Sequence, residues 1–147
     1  MKLVNLLFAS ALLIGFNSQA QDDTERECTR MRFLAGEELK INNYAGAATY
    51  YLKGEKISGG YDAANYARMI GSLRNAMNAN QDKAAKTAYA DTLEGAYTRA
   101  EAAGAYDVQD DLFRASNILQ SSAPDRVKAD MLFRRGIDAS GAETNQA

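Results

Sequence analysis

Apolar side chains recur every three or four residues through most of the chain, which is the spacing of helices with one buried face. After residue 20 the pattern predicts six helical segments, at about 24–41, 44–56, 63–77, 83–103, 106–121 and 124–141. The apolar positions of the last two segments are Val108, Leu112, Ala115 and Leu119, followed by Val127, Met131, Leu132 and Ile137. Short links between such helices favour antiparallel pairs.

Turn-forming and capping residues separate these segments. The asparagine pair Asn42–Asn43 and the glycine pair Gly59–Gly60 predict turns, and Asp62 and Asp82 stand where they can cap the following helices. Gly104 follows the longest segment, where a glycine typically ends a helix. The sequence therefore predicts an all-α fold of about six antiparallel helices, arranged as three stacked αα-hairpins.

The first twenty residues have the pattern of a secretory signal peptide. Lys2 precedes an apolar stretch, Leu3–Phe16, and small residues Ser18 and Ala20 stand before a cleavage site predicted between Ala20 and Gln21. The alternative is a membrane anchor, but about 14 apolar residues are short for a span of about 20. We expect a cleaved signal at 1–20, a flexible start at 21–24, a helical domain at 25–140 and a disordered tail at 141–147. The signal predicts an exported protein, periplasmic or secreted, with no membrane segment after cleavage.

The composition excludes several kinds of chemistry. The chain has no His and one Cys, which excludes His-based catalysis, His-ligated metals, internal disulfides and iron–sulfur clusters. Removing Lys2 with the signal leaves 16 basic and 19 acidic residues with interspersed signs, so we expect no nucleic-acid partner. Asp107, Asp110 and Asp111 could ligate a metal, although a helix dipole explains them as well. We expect no cofactor and no metal.

The single cysteine has two interpretations. Cys28 lies at helical spacing with Met31 and Ala35, which favours a small buried residue. In an oxidising compartment it could instead join two chains in a homodimer.

Three helix entries look alike along the chain: Asn43–Ala48, Gly60–Ala64 and Gly104–Asp107. They resemble the turn of the tetratricopeptide repeat, and Tyr44, Ala47 and Tyr51 match that family's aromatic and small positions best. The predicted hairpins start at steps of about 37 and 44 residues rather than 34, so the array would be irregular. The resemblance implies a right-handed array of hairpins whose concave face binds peptides or proteins.

Tyrosine is the residue type that we expect at such a binding face, because it combines apolar area with a hydroxyl. Among the eight tyrosines, five lie on apolar stripes and are predicted core: Tyr44, Tyr51, Tyr66, Tyr89 and Tyr97. The other three are off the stripes or at turns and are the candidate partner-binding residues: Tyr50, Tyr61 and Tyr106. All eight could instead serve packing and capping.

The resulting hypothesis is a non-enzymatic protein-binding or scaffold module of the cell envelope or secreted space. A helical bundle that binds a small apolar ligand is the alternative. A carboxylate-dependent hydrolase is a third hypothesis, with Glu37–Glu38 or Glu94 and Glu101 as the acid–base pair. An open groove lined by polar and Tyr side chains would favour a peptide, and facing carboxylates with one raised pKa would favour the enzyme.

Overall fold

The helices of the fold follow one another with short connections. The structure is a computed structural model that describes the backbone of residues 4–144 and the side chains of residues 22–141. In this part of the chain there are no strands, and the helices are α1 (Val4–Lys40), α2 (Tyr44–Ser58), α3 (Ala63–Ala79), α4 (Lys83–Ala102), α5 (Asp111–Gln120) and α6 (Arg126–Thr144). A 3₁₀ turn, Val108–Asp110, leads into α5. Each helix packs mainly on its neighbours in sequence, so the fold is all-α and compatible with stacked hairpins.

The predicted caps and turns form as the local chemistry requires. The carboxylates of Asp62 and Asp82 each accept a 2.8 Å hydrogen bond from the backbone N–H three residues later. Gly59, Gly60 and Gly104 have φ angles of 75°, 147° and 66°. A residue with a Cβ is strained in that region, so these glycines end α2 and α4 where the sequence indicates.

The main core lies among the first four helices. Its aromatic members are Tyr51, Tyr66 and Tyr97, which are 2%, 3% and 0% exposed, as the stripe pattern predicts. Tyr44 and Tyr89 are half-buried. Fully buried alanines on three of these helices allow the close approach of neighbouring helices: Ala35, Ala47, Ala90, Ala96 and Ala100.

A second, smaller core joins α5 and α6, and here the predicted stripes are only partly right, since of their members Ala115 and Leu132 are buried in it. Its buried members are Ala115, Ile118, Ala129 and Leu132. Most of the apolar positions that the sequence assigned to these two helices are exposed instead: Val108, Leu119, Val127, Met131 and Ile137. Polar residues of α5 occupy buried positions in their place, because they form ion pairs and hydrogen bonds that compensate for their burial.

The two ends of the chain differ in part from the expected boundaries. The helix α1 is continuous in the backbone from Val4. Of the predicted signal peptide 1–20, residues 1–3 and all of the side chains lie outside the described part. Gly141 does not end α6, because the helix continues to Thr144. Among the described glycines, the positive φ angles are at Gly59, Gly60 and Gly104. Of the predicted tail, residues 145–147 lie outside the described part.

Candidate functional site

An open groove lies between the carboxyl-terminal halves of α2 and α4, above Tyr66 of α3. Its volume is about 650 Å³. The lining residues come from three helices and the α2–α3 turn and are Leu52, Glu55, Lys56, Gly59, Gly60, Tyr66, Arg99, Ala102 and Ala103. We refer to it as the α2–α4 groove. It combines apolar, aromatic and charged side chains, which is the composition of surfaces that bind other molecules.

A bidentate ion pair between Arg99 and Glu55 joins the two walls of the α2–α4 groove. Arg99 Nε donates to Glu55 Oε1 at 2.7 Å, and Arg99 Nη2 donates to Glu55 Oε2 at 2.8 Å. The Glu55 side chain is 8% exposed and the Arg99 side chain 47% exposed. The hydrogen bonds from Arg99 to the Glu55 carboxylate raise the pKa of the guanidinium. Since both oxygens and two nitrogens are engaged, the geometry of these two side chains is fixed before any partner arrives.

The base of the groove is aromatic and nearly closed to solvent. Burial raises the pKa of Tyr66, and Glu55 raises it further, so the phenol stays neutral at physiological pH. The neighbouring Tyr61 ring meets Tyr66 edge to face at 6.0 Å between centroids. The Tyr66 ring, held by this contact with Tyr61, forms the floor of the groove.

The three tyrosines predicted to bind a partner are half-buried against the main core, and the α2–α4 groove is not lined by them. Tyr61 donates its hydroxyl to the Tyr51 carbonyl at 2.9 Å, and Tyr106 donates its own to Asp111 Oδ1 at 2.5 Å. Tyr50 lies below the Lys53 ammonium, 5.8 Å from the ring centroid. Two of the three hydroxyls are thus already used within the fold, which favours the packing alternative for Tyr61 and Tyr106.

The sequence pattern did not indicate that an arginine, Arg114, is buried and binds both members of the predicted Glu94–Glu101 pair. Arg114 of α5 is 1% exposed and binds both oxygens of Glu94, at 2.9 and 3.1 Å, and Glu101 at 2.9 Å. Lys128 of α6 adds a 2.8 Å bond to Glu94. Burial alone would raise the pKa of Glu94, but the bonds from Arg114 and Lys128 outweigh it and lower that pKa. Glu94 is therefore a fixed anion rather than a proton donor.

Asp111 is a fully buried carboxylate that is also bound by a guanidinium group. Asp111 is 0% exposed, accepts from Tyr106 and Arg135 Nη2, the latter at 2.6 Å, and is also bound by Arg135 Nε. Burial opposes ionisation, but Arg135 and Tyr106 hold the pKa of Asp111 below its ordinary value. Asp110 differs, because burial raises its pKa despite an ion pair with Arg74 at 2.8 Å.

The carboxylate pairs proposed for acid–base work have other partners. Glu37 pairs with Lys40 at 2.6 Å, whereas Glu38 accepts from Asn43 Nδ2 at 2.6 Å in the α1–α2 turn. The three aspartates considered as metal ligands, Asp107, Asp110 and Asp111, each accept a hydrogen bond within the fold. Asp107 accepts from the Gln109 N–H at 2.9 Å. No cluster of three or more His, Cys, Asp or Glu suited to a metal ion occurs among the described residues.

Cys28 is buried in α1, with 6% of its surface exposed. It lies in the helix seam beside Met31 and Ala35, as the spacing predicts. A disulfide between two chains would require a local displacement of α1.

Comparison with protein-family models, curated proteins and solved structures gave no match to this chain. Within the part of the chain that the structure describes, no helix has a stretch long and apolar enough to cross a membrane.

Proposed function

We propose that the protein is a non-enzymatic protein-binding module of the cell envelope or secreted space, and that the α2–α4 groove holds a segment of the partner. The observation that carries this proposal is the groove itself, about 650 Å³ in volume, open to solvent and walled by the Glu55–Arg99 pair. Its volume lies within the range of about 300–1,000 Å³ that is typical of ligand sites.

The shape and lining of the groove favour a peptide segment over a small apolar ligand. Leu52, Ala102 and Ala103 offer apolar contact, while Lys56 and Arg99 offer charge at the rim. A small apolar molecule would gain most from an enclosed cavity without charged walls, since burial of apolar surface drives its binding. A chain segment can instead satisfy polar and apolar positions at once.

The charge balance of the groove indicates what that segment carries. The carboxylate of Glu55 is neutralised by Arg99. Lys56 is exposed and forms no ion pair with any described side chain, so it leaves one positive charge at the rim. We infer that the partner segment places an apolar side chain against Leu52 and a carboxylate near Lys56, either from an acidic residue or from a chain terminus.

Two features of the sequence and one of the structure support the proposal. The resemblance to the tetratricopeptide repeat implies that stacked hairpins bind proteins or peptides. The pattern of residues 1–20 supports export, periplasmic or secreted. The commitment of Glu94 and Asp111 to guanidinium groups supports binding rather than hydrolysis.

A photo-crosslinking experiment tests the proposal. A photoreactive amino acid replaces Ala103, an exposed residue of the groove, or Lys53 as a control outside it, in cells that produce the full chain. Lys53 is exposed but does not line the groove. We expect a reproducible crosslinked protein from position 103 and little from position 53.

Charge reversal then tests the inferred carboxylate. Lys56→Glu should weaken capture of the crosslinked partner by about tenfold, whereas Lys53→Glu should change it by less than about twofold. The proposal fails if position 103 yields no reproducible protein, or if positions 103 and 53 yield the same one equally.

A further inference from the structure

A polar pocket lies between α1 and the first turn of α3, beside the α2–α3 turn. Its volume is about 280 Å³. We refer to it as the α1–α3 pocket, and the lining residues that matter for its chemistry are Glu25, Cys28, Arg32, Tyr61, Asp62 and Asn65. Its lining shares only Gly60 with that of the α2–α4 groove, so binding in this pocket does not rest on the function proposed for the groove.

The side-chain amide of Asn65 is buried and has no partner. The residue is 6% exposed, and its backbone N–H donates to Asp62 Oδ1 at 2.8 Å, whereas the amide forms no hydrogen bond with any residue that the structure describes. In this part of the chain, the fully enclosed side-chain polar atoms without a partner belong to Tyr97 and Asn117, so the amide atoms of Asn65 are accessible from the pocket that they line. Buried polar groups are almost always satisfied, so an accessible amide without a partner indicates an occupant.

The α1 wall of the pocket carries two opposite charges that do not meet. Glu25 and Arg32 are seven residues apart and lie on the same face of α1, about 10 Å apart along the helix axis. Direct pairs along a helix form at spacings of three or four residues, and neither side chain forms an ion pair with a described residue. Arg32 Nη2 donates to Thr29 Oγ1 at 3.1 Å, which directs the guanidinium back towards Glu25. A ligand that lies along this face can contact both charges.

The opposite wall adds a second carboxylate beside the Asn65 amide. Asp62 uses Oδ1 to accept the Asn65 N–H, and its other oxygen has no partner among the described residues. The Tyr61 hydroxyl already donates to the Tyr51 carbonyl at 2.9 Å. Burial raises the pKa of Tyr61, so the phenol is neutral at physiological pH. The charges that face the pocket are therefore two carboxylates and one guanidinium.

These groups exclude most ligand classes in turn. A simple anion would face the carboxylates of Glu25 and Asp62, and a simple cation would face the Arg32 guanidinium. An apolar molecule would leave the Asn65 amide and all three charges without partners. A zwitterion offers a cation to the carboxylates and an anion to the guanidinium at once, in charge-assisted hydrogen bonds.

We propose that the α1–α3 pocket binds a free α-amino acid. The ammonium of the ligand donates to the carboxylates of Glu25 and Asp62, and its carboxylate accepts from Arg32 and from the Asn65 amide. The volume of about 280 Å³ equals the liquid volume of about nine water molecules, which is room for an amino acid with a small or medium side chain.

Protein-observed NMR of the full chain tests the assignment. L-Alanine is titrated while the side-chain amide signals of Asn65 are followed. Propionate, which lacks the ammonium, and ethylamine, which lacks the carboxylate, are the matched probes. We expect saturable shifts with a dissociation constant of about 1 mM for alanine, and binding at least about tenfold weaker for the other two. The amide of Asn75, an exposed residue of α3 outside the pocket, should not shift.

A further probe distinguishes the source of the zwitterion. Glycerophosphoethanolamine carries the ammonium and a phosphate diester of a lipid headgroup, and its charges are farther apart than those of an α-amino acid. We expect it to bind at least about tenfold more weakly than alanine, because it cannot place both charges at once.

Three variants make the result specific. Arg32→Gln and Glu25→Gln should each weaken alanine binding by about tenfold, because each removes one charge-assisted contact. Arg30→Gln makes the same chemical change on the same helix outside the pocket and should alter binding by less than about twofold. The proposal is overturned if alanine causes no saturable shift at Asn65, which would indicate ordered water alone. It is also overturned if any of the three comparison probes binds as tightly as alanine, or if Arg30→Gln weakens binding as much as Arg32→Gln.

Discussion

Replacement of Arg114 by alanine is the sharpest test of how the third hairpin is held. The guanidinium is 1% exposed and makes four hydrogen bonds to residues of α4, two to Glu94, one to Glu101 and one to Thr98. It also lies over the Tyr97 ring, 5.6 Å from its centroid. Arg114→Ala removes all of these contacts at once and leaves two carboxylates without their main partner.

The expected loss depends on what happens to each carboxylate. Removing one member of a buried ion pair typically costs about 3–5 kcal/mol. Two features reduce that figure here. Glu94 keeps the Lys128 ammonium at 2.8 Å, and the Glu101 side chain is 50% exposed and can be hydrated. We therefore expect Arg114→Ala to lower the free energy of unfolding by about 2–3 kcal/mol.

Urea unfolding at pH 7, followed by circular dichroism at 222 nm, measures this loss. Arg134→Ala is the matched control, because Arg134 is also paired with a carboxylate, Asp130, but its side chain is 77% exposed. An exposed pair within one helix contributes about 0.5 kcal/mol or less. If the two variants lose the same stability to within about 0.5 kcal/mol, the buried guanidinium does not stabilise the α4–α5 contact as argued.

Three further predictions test the packing, the capping and the titration. Gly54→Ala should lower stability by about 1–3 kcal/mol in the same urea assay, because the new Cβ would meet the Tyr61 hydroxyl; an unchanged midpoint would contradict the close approach. Asp62→Ala should cost about 1 kcal/mol through loss of the α3 cap, whereas Asp62→Asn should restore most of it. Glu94 and Asp111 have pKa values lowered by folding, so their stabilisation is present above pH ~4 and lost as the pH falls through the folded-state pKa values. Stability measured from pH 7 to 3 should therefore decline below pH ~4, and less steeply for Asp111→Asn; equal slopes would refute the assignment.

The first four helices could be predicted from the sequence because their stabilising chemistry is local. Helical periodicity places Tyr51, Tyr66 and Tyr97 in the core. Asp62 and Asp82 cap α3 and α4, because each carboxylate accepts a hydrogen bond from the backbone N–H three residues later. Glycines at positive φ end α2 and α4, because glycine has no Cβ and adopts this conformation without strain. Such signals do not depend on which helix packs on which.

The last two helices were predicted near their observed positions, but their buried faces and the candidate sites could not be predicted, because the chemistry that decides them connects distant positions. Arg99 meets Glu55 across 44 residues, and Asp111 meets Arg135 across 24. In the sequence each of these appears as an ordinary charged residue on a solvated face. Glu94 and Glu101 did share a face as their spacing indicates, but only the fold shows that Arg114 is buried between them.

The polar character of the contact between α4 and α5 explains why the predicted apolar stripe of α5 is only partly right. The main core belongs to α1–α4 and the second core to α5 and α6, so the two are separate clusters. Between them run directional bonds: Arg114 to Glu94, Asn117 to the Ala90 carbonyl, and the Ser122 N–H to Asp91 at 2.8 Å. Apolar contacts tolerate sliding, whereas hydrogen bonds of fixed geometry specify one arrangement.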